Sequence, residues 1–135
     1  MKILSVKQFS NKLKVSIQSS GRLSFTDDTA RTLEIKDGTP IKFAIDEDKG
    51  QSLYLVVAAN IEDEDAFKVR KSGSYFYVPT KNLFDALEVD YSNKSVGYDL
   101  IRAELHDSEL GGMAFRMSER DTKNRSGGDD EVSDI

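Results

Sequence analysis

The stretch Leu13-Lys14-Val15-Ser16-Ile17-Gln18-Ser19-Ser20-Gly21-Arg22-Leu23-Ser24-Phe25 decides how the rest of the chain is read. Leu13, Val15 and Ile17 alternate with Lys12, Lys14 and Ser16, the period of a strand with one buried face. Ser19-Ser20-Gly21 marks a turn, after which Leu23 and Phe25 resume the alternation. The pattern predicts a β-hairpin. Thr26 then suits a helix N-cap, and Asp27 and Asp28 favour the positive end of the first turn. The helix is expected to end near Leu33 to Ile35, with Lys36-Asp37-Gly38 as its stop and Gly38 supplying a positive φ. Ile41, Phe43 and Ile45 read as a third strand. A polar loop from Asp46 to Gln51 leads to Leu53-Tyr54-Leu55-Val56-Val57, which reads as a buried strand.

Past the acidic run Glu62-Asp63-Glu64-Asp65 the same order of elements returns. Phe67, Val69 and Lys71 alternate up to the turn Ser72-Gly73, and Tyr75-Phe76-Tyr77-Val78 follows. Pro79 and Thr80 open a helix on which Leu83, Phe84 and Leu87 share a face. Val96, Tyr98 and Leu100 form the next strand, His106 to Gly112 a loop, and Met113, Phe115 and Met117 the closing strand. Val15…Ser20-Gly21…Leu33-Glu34-Ile35 matches Val69…Ser72-Gly73…Leu87-Glu88-Val89, as an internal duplication would. The expected fold is therefore β-rich α+β: two tandem hairpin–short helix–hairpin units in a small barrel-like or sheet-packed domain. One compact domain is expected over 1–118, with units at 1–60 and 66–118. Glu119 onward has no apolar periodicity, so 119–135 reads as a disordered acidic tail.

The 135 residues are 38% hydrophobic and 32% charged, a globular balance. There is no cysteine, which excludes disulfides, thiolate metal sites and a cysteine nucleophile together. No apolar run has the length of a signal-peptide core or of a membrane span, so a cytoplasmic location without membrane contact is expected. The net charge of −5 disfavours a uniform affinity for phosphates. The acids Glu119, Asp121, Asp129, Asp130, Glu131 and Asp134 outnumber Arg120, Lys123 and Arg125, so much of that charge lies in the tail. Ahead of Asp27, the first acid, stand Lys2, Lys7, Lys12, Lys14 and Arg22. That asymmetry allows an anion-binding face on the first unit.

Gly21-Arg22-Leu23-Ser24-Phe25-Thr26, Leu33-Glu34-Ile35 and Gly38-Thr39-Pro40-Ile41-Lys42-Phe43 fall at spacings that match a known family pattern with no gap needed. In this the stretch 14–45 resembles the AbrB-like swapped-hairpin DNA-binding family (SpoVT/MazE-type proteins), and 68–103 reads as a degenerate second copy. The resemblance implies a non-catalytic DNA-binding transcription regulator. It also implies a homodimer whose hairpins interlock and whose basic residues grip duplex DNA. Arg22 matches the family's arginine after the turn glycine, and Lys14 lies in the strand that usually carries basic residues, with Lys12 just before it. Thr26 replaces the usual proline, and the helix arginine falls one place late, as Arg31. Tandem units would let the pseudo-dimer form within one chain, or two chains build a larger barrel.

Two other readings stand beside this one. The order of strands and helix from Pro40 to Leu87 is similar to a repeat of the PUR-type or Whirly-type single-strand binders, which combine a curved sheet with stacking aromatics. Tyr75, Tyr77, Lys68, Arg70 and Lys71 would supply that surface. Alternatively the chain is an antitoxin-like or adaptor module that engages a protein through its acidic tail. Catalysis is not expected. His106, the only histidine, lies in a polar loop, and the acidic runs 46–48 and 62–65 lack the spacing of a calcium loop. No nucleophile elbow, phosphate loop or dinucleotide motif occurs, so neither metal nor cofactor is expected.

Overall fold

The computed structural model describes residue 1 and residues 13–103, 110–120 and 122–124. The opening hairpin forms as the alternation predicts, with β1 (Leu13–Ile17) antiparallel to β2 (Leu23–Phe25). Val15, Ile17, Leu23 and Phe25 are buried. Gly21 turns the chain at φ 91°. Helix α1 (Asp27–Thr32) starts where the Thr26 hydroxyl accepts from the Thr29 N–H at 3.2 Å. It does not stop at Gly38. Glu34 takes the left-handed conformation at φ 56°, so that Ile35 N–H reaches back to the Ala30 carbonyl at 2.8 Å and Glu34 N–H to Arg31 at 3.2 Å. This is the paired-bond helix ending usually built on glycine. Gly38, at φ 94°, only redirects the chain into β3 (Pro40–Asp46), which pairs with β4 (Ser52–Ala58).

The second unit repeats this plan. Its strands are β5 (Phe67–Lys68), β6 (Arg70–Ser72), β7 (Tyr75–Val78), β8 (Lys94–Arg102) and β9 (Gly112–Glu119), with helix α2 (Lys81–Ala86) between β7 and β8. The helix bonds of the first unit recur at constant offset, from Thr26 to Thr80, Ala30 to Phe84, Glu34 to Glu88 and Ile35 to Val89. Phe84 N–H bonds to Thr80 O at 3.0 Å and Val89 N–H to Phe84 O at 3.0 Å, while Glu88 sits at φ 60°. The duplication read from the sequence is thus carried by backbone bonds as well as by residue types.

Strand pairing is symmetric between the units. β1 pairs with β8 and β5 with β3, each unit's first strand lying on the other's third. β2 pairs with β7 and β4 with β9, like with like. The sheet runs β5-β3-β4-β9-β8-β1-β2-β7-β6, and its two ends, β5 and β6, are separated only by Val69. Val69 bonds toward β3, donating to Thr39 O at 2.9 Å and accepting from Gly38 N at 2.8 Å, and Arg70 then pairs with Tyr77 of β7. The single strand expected over Phe67–Lys71 is therefore two, because the chain passes there from one sheet edge to the other. The result is a mostly β, nearly closed barrel.

The barrel is filled by Val15, Ile17, Leu23, Ile41, Leu55, Val69, Val78, Phe84 and Phe115, among others. Phe84 of α2 meets Phe43 of β3 edge-on at 6.0 Å, and Phe43 meets Phe67 at 5.9 Å, so the second helix is anchored on the first unit. α1 holds Ala30 where α2 holds Phe84. A cavity of about 320 Å³ lies beside Ala30, between Phe25, Ile35 and Phe76. Met113, expected in the closing strand's core, is 44% exposed, whereas Phe115 and Met117 are buried. The sheet also runs past the expected tail boundary: Glu119 closes β9, and β10 (Lys123–Asn124) pairs with β8. Residues 121 and 125–135 of that tail lie outside the described residues.

Candidate nucleic-acid interface

On β1 the buried side chains are Val15 and Ile17, so Lys14 and Ser16 point out of the barrel. Register carries this outer face across the sheet: Gly97 of β8 lies opposite Ser16, Ser16 opposite Ser24, Ser24 opposite Tyr77, and Tyr77 opposite Arg70. The middle of the row is small, with the Ser16 and Ser24 hydroxyls 3.3 Å apart. Large side chains lie at both ends. Arg120 covers Gly97 so closely that a Cβ there would strike its guanidinium. The same guanidinium donates to the Val15 carbonyl at 3.3 Å and stands 3.7 Å from Asp99.

At the other end Tyr75 and Tyr77, two residues apart on β7, are half-buried neighbours with ring centroids 6.0 Å apart. The Arg22 guanidinium lies 4.3 Å above the Tyr77 ring, a cation–π contact worth about 0.5–1 kcal/mol at an exposed site. Hydrogen bonding from Gln18, then from Ser72 and Arg22, holds the Tyr75 phenol below its usual range. Tyr98 shows the reverse: burial, aided by the charge of Glu119 opposite it, pushes its pKa up to about 12. Tyr75 is therefore expected to ionise before Tyr98 in an ultraviolet titration. Because the folded chain keeps the Tyr98 proton above the ordinary value of 10.0, stability is unaffected below that pH and falls as pH rises toward about 12. Tyr98→Phe should flatten that fall; an unchanged slope would contradict the assignment.

Of the residues expected to grip DNA, the structure places only Arg22 on this cluster. Lys14 shares the outer face but is half-buried, opposite Asp99. Arg31 is on α1, paired with Asp28 at 2.9 Å, and borders the cavity beside Phe76. Lys12 and His106 lie outside the described residues. Of the residues expected on a single-strand surface, Tyr75, Tyr77 and Arg70 come together here. Lys68 instead donates to the Ile61 carbonyl, and Lys71 lies 5.9 Å from the Phe76 ring. Gln18, Ser72 and Arg120 were not anticipated. Gly97 is a sequence signal for Arg120 alone, since a glycine inside a strand marks a close approach.

No family model, curated protein or solved structure matches the chain. Among the described residues no group of three or more histidines, aspartates and glutamates is placed to hold a metal ion, and no helix is long and apolar enough to cross a membrane. The acids 46–48 and 62–65 lie on the connections of β3, β4 and β5, and β4 is far from β2 along the sheet. Lys42 clamps Asp63 at 2.7 Å, holding that carboxyl below its usual range with help from the Asp65 N–H. The run 62–65 leads into β5, which only Val69 separates from β6 and Arg70, whereas 46–48 lies at the β3–β4 connection.

Proposed function

We propose that the chain is a non-catalytic DNA-binding regulator of the swapped-hairpin type, working as a pseudo-dimer within one chain. One observation carries the reading: the first strand of each unit pairs with the third strand of the other. That is the interlocking which the resemblance at 14–45 implies between two subunits. Its contact face is the outer wall of β1, β2, β7 and β6, where Arg22 and Arg70 are exposed. Arginine suits that place because its planar fork binds phosphate oxygens in pairs. The acidic loops elsewhere on the barrel would repel the backbone and orient the approach.

Fluorescence anisotropy of labelled oligonucleotides across a salt series tests this. Binding should weaken as salt rises. Arg22→Ala should weaken it about tenfold and lower the log–log salt slope by about one. Absence of salt-sensitive binding to any oligonucleotide would contradict the reading.

A further inference from the structure

We infer that the face formed by Arg22, Arg70, Tyr75 and Tyr77 takes unpaired nucleotides, so that its ligand is single-stranded nucleic acid and not intact duplex. This rests on the contact face proposed above and replaces the duplex that the resemblance at 14–45 implies. A duplex is held by a row of cations following phosphates on the outside of a stiff rod. That row does not assemble here. Lys14 is half-buried beside Asp99, and Arg31 is engaged by Asp28 on the far side of β7. Arg120 is turned onto Asp99 and the Val15 carbonyl at the other end of the row, which leaves Arg22 and Arg70 beside the tyrosine rings.

That combination matches single-strand chemistry. Bases without a partner offer their faces to tyrosine rings or to guanidinium planes, and their phosphates to the guanidinium edges. Tyr75 and Tyr77 lie side by side on one wall, 6.0 Å between centroids and tilted by 44°. Arg22 is already parked on Tyr77 at 4.3 Å, so a base can stack on the exposed side of the guanidinium or displace it toward a phosphate. Arg70, in register with Tyr77, stands on the opposite flank. The serines beside Tyr77 keep the middle of the wall low, their hydroxyls 3.3 Å apart and half-buried. The Tyr75 and Tyr77 rings already lie against each other, with Arg22 over Tyr77, before any ligand arrives. Ordering the platform in advance reduces the entropy lost on binding.

Anisotropy with the full chain decides it, using oligothymidylate and oligouridylate of about 15 nucleotides, the upper range for one small barrel, and a mixed-sequence duplex of equal length. The single strands should bind at least about tenfold tighter than the duplex. Tyr75→Ala with Tyr77→Ala should weaken single-strand binding about tenfold or more, while Tyr75→Phe with Tyr77→Phe, which keeps both rings, should retain it. If the alanine pair fails to fold by circular dichroism, Arg70→Ala serves instead, and it should weaken the single strands more than the duplex. DNA and RNA arms show which sugar is preferred, and both count for the inference. Equal or tighter binding of duplex, unaffected by the loss of the rings, would overturn it while leaving DNA binding standing. Binding of neither form would overturn both.

Discussion

Phe84→Ala lowers stability by about 3–5 kcal/mol, the cost of emptying a fully enclosed phenylalanine site. Phe84 is 0% exposed and the buried residue of α2. Its ring also packs on Phe43 of the first unit. The substitution therefore removes core volume and loosens one unit from the other. A helix of six residues is too short to hold itself together without such packing. A chemical denaturation midpoint should fall accordingly, and the melting temperature by more than about 10 °C. α1 carries the smaller Ala30 at the matching position, so the two helices fill the core unequally. A loss below about 1 kcal/mol would mean that Phe84 does not anchor α2 on the first unit as described.

Gly112→Ala is the second large effect. A Cβ at Gly112 would collide with the Val57 carbonyl oxygen and come within 2.7 Å of the Ala58 Cα. Both are backbone atoms of β4, the strand paired with Gly112, so neither yields by rotating a side chain. Overpacking of this kind costs about 1–3 kcal/mol, and more where the backbone must move. Gly38→Ala is the control, because Gly38 has open space around it and only a positive φ, a cost of about 1–2 kcal/mol. Urea melts of both variants should place Gly112→Ala clearly below Gly38→Ala. The reverse order would contradict the close approach of β4 and β9.

Much of the fold was legible because hairpins announce themselves in alternation. Val15, Ile17, Leu23 and Phe25 are buried as their spacing predicts, and Thr26 caps as its chemistry predicts. The helix ending was not legible, since Glu34 and Glu88 adopt a conformation normally left to glycine, and nothing in a glutamate signals it. The division at Val69 was hidden for a different reason. A strand that changes partners keeps its alternation, so Phe67, Val69 and Lys71 look the same whether the ladder continues or crosses.

The candidate site was legible as residues and illegible as a surface. Arg22 was singled out from the motif at 14–45, and Tyr75, Tyr77 and Arg70 from the aromatic strand, under two separate readings. Only the pairing of β2 with β7 brings them onto one wall, and that register depends on the duplication folding onto itself. Conversely, Lys14 and Arg31 carry the right charge in the right segment, yet Asp99 and Asp28 stand beside them. Net charge gave no guide, because it sums over regions that the barrel keeps apart.

Nucleic acid is expected to meet this protein on the outer wall of β1, β2, β7 and β6. A two-dimensional amide NMR titration with a short oligonucleotide tests it most directly. The account predicts shifts concentrated at Gln18, Arg22, Ser24, Ser72, Tyr75 and Tyr77, fading on β4 and on the acidic loops at 46–48 and 62–65. A saturating titration that leaves those six amides unmoved would contradict it.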